Sequence, residues 1–228
     1  GTYTPALEGQ HGVSLLSSQD VTIRNSRITR VYGDFVYFGR SGSTGFSGGH
    51  VHDNVLDRNG RQAIAVTAGH DITIERNSIR NVGRSTFDLE PNGASWGASR
   101  VRIRDNRVGA GKLSFVAISG AGPVEDVEIS GNVLEGRPMI VFIGGSVHRP
   151  NRIRFLENRS DAVFGSSHAL ALIRVFSADD IEVRGNHQPL QEGRGNFGVQ
   201  ADDTTGLSVE RNTFVAAAGS YTAEGNEE

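Results

Sequence analysis

The sequence predicts an all-β solenoid of about eight stacked coils, and three observations predict it. Asparagine recurs at Asn25, Asn54, Asn77, Asn106, Asn132, Asn158, Asn186 and Asn212, at intervals of 29, 23, 29, 26, 26, 28 and 26 residues. From Asn54 onward each follows an apolar residue by three positions: Val51, Ile74, Ile103, Ile129, Phe155, Val183 and Val209. Thirty glycines, with many Asn, Asp and Ser, supply the tight turns that stacked coils require.

Each coil opens with a short apolar strand, expected at 12–16, 34–38, 62–66, 86–90, 114–118, 139–143, 172–176 and 197–201. A turn leads to a second strand of strict alternation, at 21–23, 72–74, 101–103, 127–129, 153–155, 181–183 and 207–209. Period-two alternation sends the aliphatics inward and Thr, Arg or Glu outward. The asparagine then closes the strand, and another apolar residue usually follows. A side-chain amide stacked on its copy one coil away donates and accepts along the column, which makes an Asn ladder. The outward residues four before each asparagine read His50, Thr73, Arg102, Glu128, Arg154, Glu182 and Ser208. Parallel register therefore predicts Arg102, Glu128, Arg154 and Glu182 as cross-strand neighbours of alternating sign.

The 228 residues suit one domain, with coils over about 12–214 and a short cap and disordered acidic tail over 215–228. Net charge is −3 and the predicted pI 6.2, so no basic field for nucleic acid exists. The single lysine is Lys112, and the absence of cysteine excludes disulfides and thiolate zinc sites. No apolar run is long enough for a transmembrane helix.

With its Asn ladder and G-x-x-I/V-x-I-x-x-N units, the chain resembles the right-handed parallel β-helix proteins of the pectin-lyase-like superfold. The likeness covers about residues 12–214. Phrases such as Arg61-Gln-Ala-Ile-Ala-Val66 and Phe87-Asp-Leu-Glu-Pro-Asn92 resemble mostly uncharacterised bacterial β-helix repeat proteins. Asn25 departs by one residue, since it follows Ile23 by two. The resemblance implies a carbohydrate-active protein that acts on a polysaccharide, as lyase or glycoside hydrolase. A non-catalytic, adhesin-like or scaffold β-helix that binds glycan or a protein is the alternative. An extracellular or periplasmic bacterial location goes with it; Gly1 reads as a trimmed boundary that leaves room for a removed leader.

In such a coil the core is aliphatic, so chemistry belongs to an outer face or a loop. With Val36, Phe38, Ile64, Val66, Phe87 and Leu89 inside, coils two to four gather Asp34, Tyr37, Arg40, Arg61, Asp88 and Glu90 on one face. The segment 41–49 is expected to wall one side and 92–99, with the only tryptophan, Trp96, the other. Asp88 and Glu90, two residues apart on a strand, share a face and can act as acid and base in glycoside hydrolysis. They can equally share a Ca²⁺ with Asp34 and Asn92, or be solvated turn acids. Tyr37 and Arg61 suit uronate elimination, where a cation neutralises the sugar carboxylate and a tyrosine transfers a proton. Edge packing against Phe35 and an ion pair with Asp88 are their plain structural roles. Asp34, Arg40, Asn92, Trp96 and Arg174 are the expected substrate contacts. The register leaves every histidine outside this cluster, and the chain lacks the Asp-Pro-His motif of the alginate epimerases. His50 and His52 can share a metal, but no third ligand is evident, so no cofactor is expected beyond that Ca²⁺ alternative. Asn158-Arg-Ser160 is a glycosylation sequon whose asparagine the ladder places inside.

Overall fold

A computed structural model describes residues 3–145, 147–164, 171–190 and 197–216. Eight rungs stack in parallel, and each is built from three strands. The first strands of rungs 1–6 are Val13–Leu16, Val36–Gly39, Ile64–Val66, Phe87–Leu89, Val116–Ile118 and Val141–Gly144. The second strands are Gln19–Arg24, Phe46–His52, Gly69–Glu75, Ala98–Arg104, Val124–Ser130 and Asn151–Leu156. On rungs 7 and 8 the two run together as Ala171–Arg184 and Phe197–Glu210. A short third strand follows each ladder position, from Arg27–Val31 on rung 1 to Thr213–Ala216 on rung 8. The sequence reduces that third strand to a single apolar residue, because two to five residues show no alternation to read. Val215 and Ala216 thus belong to a coil, and the expected tail 217–228 lies outside the described residues.

The core is a set of continuous columns. Val36, Ile64, Phe87, Val116, Val141 and Ile173 stack in register, all 0–1 % exposed. Ile74, Ile103, Ile129, Phe155 and Val183 form a second such column. Between the second and third strands stands the ladder. Nδ2 of each asparagine donates to Oδ1 of the next, at 3.0 Å from Asn54 to Asn77, Asn77 to Asn106 and Asn106 to Asn132. The links from Asn132 to Asn158, Asn158 to Asn186 and Asn186 to Asn212 are 2.9, 3.1 and 2.9 Å. The same Oδ1 also accepts the backbone N–H of the preceding asparagine, and Nδ2 reaches a strand carbonyl one coil back, as Asn106 does to Ile74 at 3.0 Å. Each buried amide is therefore satisfied at both ends, as burial of a polar group demands.

Asn25 is not a rung of this ladder. Ser26 holds the first position, its N–H donating to Asn54 Oδ1 at 3.0 Å. Asn25 instead heads a neighbouring column of left-handed backbone, with φ of 50°, 54°, 50° and 55° at Asn25, Asp53, Arg76 and Asp105. Asparagine tolerates that conformation better than most residues, which explains its presence one residue early.

The expected outer column is in register, Arg102 opposite Glu128, Glu128 opposite Arg154 and Arg154 opposite Glu182. One of its three contacts is an ion pair, Arg154 Nη1 to Glu182 Oε2 at 2.8 Å, while Glu128 turns to accept from Ser130. Bidentate bridging occurs in a second left-handed column six residues before the ladder. There Arg100 grips Asp71 through two hydrogen bonds of 2.6 and 2.8 Å, and Arg152 grips Asp126 in the same way.

Asn106→Ala orphans several buried donors and acceptors, at roughly 1–3 kcal/mol each, so a loss of about 3 kcal/mol or more is expected. Asn25→Gly, at an exposed left-handed position, should leave the melting temperature near that of the parent. Thermal melts of the two variants check both.

Candidate functional site

The outward column of the first strands reads Ser14, Tyr37, Ala65, Asp88, Ala117, Phe142, Arg174 and Gln200. Two rungs, roughly 9–10 Å, separate Tyr37 from Asp88. Tyr37 lies forward along its strand across Gly39, where a β-carbon would come within 2.6 Å of its Cε1. Thr67 Oγ1 donates to the Tyr37 hydroxyl at 2.8 Å. The His11 ring stacks on the Tyr37 ring, with centroids 4.6 Å apart and planes within 6°.

Counting two residues back from the paired Val13, Val36 and Ile64 gives His11, Asp34 and Gln62, a polar column at the mouth of the first strands. Asp34 N–H donates to His11 Nδ1 at 3.1 Å, and Gln62 N–H donates to Asp34 Oδ1 at 3.0 Å. This repeats the ladder's device with other residues. In the neutral ring, Nδ1 as acceptor leaves the proton on Nε2. Arg61 Nη1 donates to Asp34 Oδ2 at 2.8 Å, and Gln62 Nε2 donates to Asp88 Oδ2 at 2.9 Å. The N-terminal segment closes the arrangement: Glu8 lies 3.6 Å from Arg61, and Tyr3 donates to Glu8 at 2.7 Å while Arg84 sits over the Tyr3 ring.

Burial dominates the electrostatics. It pushes the Asp34 carboxyl up to about 7 although Arg61 and the Gln62 N–H favour its charge. Burial, then the neighbouring Glu90 charge, pushes Asp88 up to about 7. Burial and the Arg61 charge lower the His11 pKa. Of five buried side-chain polar atoms without a hydrogen-bond partner among the described residues, three are in this cluster: Arg61 Nε, Gln62 Oε1 and Arg84 Nε. Such orphans are rare, and they concentrate where a structure is arranged for something other than stability.

Above the cluster an open groove of about 400 Å³ is lined by Glu8, Gly9, His11, Ser14, Leu16, Tyr37, Arg61 and Asn92. Three expected residues, Tyr37, Arg61 and Asn92, thus share one groove. Asp34 is fully buried beneath it, bonded to Arg61. Asp88, 5 % exposed, and the half-buried Glu90 are not among its lining residues. Arg40 and Trp96 pair with each other, the guanidinium 4.5 Å from the indole centroid, and line a neighbouring pocket of about 170 Å³. Arg174 stands three rungs beyond Asp88, against Phe176, and does not join the group.

The expectation that no histidine reaches the cluster is corrected, since His11 is a wall of the groove. Segments 41–49 and 92–99 do share a pocket, the neighbouring one, through Ser43, Gly45, Ser95 and Trp96, while the N-terminal segment walls this groove. That wall was hidden because residues before the first strand carry no periodicity; only the Asp34-equivalent position of His11 signals it. The His50 and His52 rings lie 4.1 Å apart and tilted by 33°, but turn to Glu75 and Asp53, at 3.0 and 2.6 Å. Among the described residues no three His, Asp or Glu side chains are grouped to hold one metal ion. Of the oxygens expected to hold Ca²⁺, both of Asp34 and one of Asp88 accept instead from Arg61, the Gln62 N–H and the Gln62 amide.

A family model described as a right-handed β-helix region matches residues 6–186. The chain belongs to the right-handed β-helix family. No curated protein and no solved structure matches this β-helix chain.

The raised carboxyls predict a pH dependence of stability. The folded β-helix holds protons on Asp34 and Asp88 that the unfolded chain releases near pH 4, so stability falls as pH rises from about 4 to about 7. The limiting slope is about 1.4 kcal/mol per pH unit for each such group. His11 acts in the opposite sense at the top of this window, and the ion-paired acids Asp53 and Glu75 act below it. Urea midpoints measured across pH 4–7 should show a shallower decline for Asp88→Asn than for the parent.

Proposed function

We propose that this right-handed β-helix protein binds an acidic polysaccharide in the groove over rungs 1–4 and cleaves it by elimination at a uronate residue. The observation that carries the reading is Arg61, held at the groove wall by a buried carboxyl and sharing the groove with Tyr37 and His11. Asp34 is incompletely ionised near neutrality, so it cancels only part of the Arg61 charge and leaves the guanidinium attractive to a sugar carboxylate. Pairing with Arg61 lowers the cost of the enolate-like charge that develops when the proton beside the carboxylate leaves. Glu8, the carboxylate on the groove wall, takes that proton. The electron pair forms the new double bond and expels the glycosidic oxygen, to which the Tyr37 hydroxyl gives its proton. The parallel Tyr37 and His11 rings offer an apolar edge for a sugar, and Asn92 and Ser14 its hydrogen bonds.

Elimination is favoured over hydrolysis through Asp88 and Glu90 because neither carboxyl lines the groove, and a hydrolase needs one on either side of the bond. The reading places the protein outside the cytoplasm, where such polymers are met.

Polyuronate incubated with the protein should yield an unsaturated product absorbing near the ultraviolet edge. Tyr37→Phe should lower that rate by about 10²-fold or more while retaining polymer binding. Reducing ends without ultraviolet absorbance would instead establish hydrolysis. Binding without either signal would establish a non-catalytic glycan-binding β-helix.

A further inference from the structure

A polymer cut beside Tyr37 has a sugar on either side of the broken bond, and the groove accounts for the one whose carboxylate meets Arg61. In elimination the ring C–O bond breaks and the oxygen departs on the adjacent sugar, carrying the Tyr37 proton. That sugar must lie beyond the Tyr37 hydroxyl as seen from Arg61. The first strands lead the same way. Arg61 stands four residues before Ala65, which pairs with Tyr37, and Arg40 follows Tyr37 by three. The Tyr37 ring lies forward over Gly39, and its hydroxyl accepts from Thr67, the residue before Ala68 in the wall of the neighbouring pocket. Asn92 of the groove and Ser95 and Trp96 of that pocket belong to one loop.

We infer that the Arg40–Trp96 pocket receives the departing sugar and that Arg40 selects a second uronate there, which rests on the elimination reading of the groove. Runs of consecutive uronate residues are then the substrate class, and polymers in which uronate alternates with a neutral sugar are poor substrates.

The polar lining of the pocket suits an anionic, hydroxyl-rich ligand: Arg40, Ser43, His70, Ser95 and Ser99, with no Asp or Glu among them. Asp71, behind His70, is already gripped by Arg100. Arg40 has no ion pair among the described residues, and its one hydrogen bond there is Nη1 to Ser95 O at 3.4 Å. A guanidinium carries five N–H donors, so most of the fork is unspent. Trp96 holds the group by its face, 4.5 Å from the indole centroid, and consumes none of those donors. The edge is left for bidentate pairing with a carboxylate. Arg61 differs, since Asp34 and Glu8 already share its charge. The loop that carries Trp96 is braced as well. Its N–H donates to Gly93 O at 2.8 Å, and Gly122 of the next rung packs so closely on its carbonyl that a β-carbon would not fit. A braced loop and a stacked guanidinium have little freedom left to lose on binding.

Trp96 is the only tryptophan of the chain, so its fluorescence reads this pocket directly. Oligogalacturonate titrated into the protein should change the Trp96 emission, and the same oligomer with its carboxyls reduced to alcohols should not. Arg40→Gln should weaken the titration by about tenfold or more, and Arg40→Lys, which keeps the charge, should recover part of it. Both variants should melt near the parent, because Arg40 is half-buried and bonds one loop carbonyl. Unsaturated product without any change in Trp96 emission would overturn the pocket assignment and leave elimination standing. So would an Arg40→Gln titration identical to the parent's. An Arg40-dependent change without unsaturated product would retire elimination and keep the pocket as a uronate site, whereas neither signal would retire both.

Discussion

Every part of this molecule depends on parallel register, and the buried asparagine column is the interaction that holds it. A parallel sheet alone tolerates slippage wherever its faces are uniform aliphatic columns, since Val on Ile packs nearly as well as Ile on Val. An asparagine displaced from its column buries an amide without partners, a penalty that aliphatic packing cannot offset locally. The ladder thus fixes which residue of each coil faces its counterpart. Tyr37 reaches the same groove as Arg61 for that reason, although 24 residues separate them.

The polar stack of His11, Asp34 and Gln62 has the same form as the ladder and a different consequence. Identical amides satisfy each other completely and add no charge. Replacing them by an imidazole, a carboxyl and an amide leaves an ionisable group in a dry place, with Arg61 as its nearest counter-charge. Burial then works against ionisation while the arginine works for it. Three orphaned polar atoms beside this stack mark the cost of the arrangement. Surface bridges such as Arg100 with Asp71 operate under opposite conditions, being solvated, and contribute register more than stability.

The architecture was largely legible because a solenoid repeats its rules. Seven of the eight recurring asparagines occupy the ladder, and the alternation of segments such as Val101-Arg-Ile103 assigns inside and outside correctly. Asn25 misled because two demands of the coil, an internal amide and a left-handed residue, both favour asparagine at adjacent positions. The lining of the candidate groove was half legible. Tyr37, Arg61 and Asn92 follow from register, which is periodic information. Glu8 and His11 come from a segment outside the repeat, and the depth of Asp34 and Asp88 depends on what covers the strand mouths, which periodicity does not encode.

The account stands on register being held from within by the ladder, and amide hydrogen exchange under native conditions tests that directly. The backbone N–H groups of Asn77, Asn106 and Asn132, each donated to the next asparagine at 3.0 Å, should exchange only through the largest unfolding events the chain undergoes. The exposed left-handed Asn25 should exchange orders of magnitude faster. Ladder amides that exchange as quickly as Asn25 would contradict the account, because the column would then not be closed in solution.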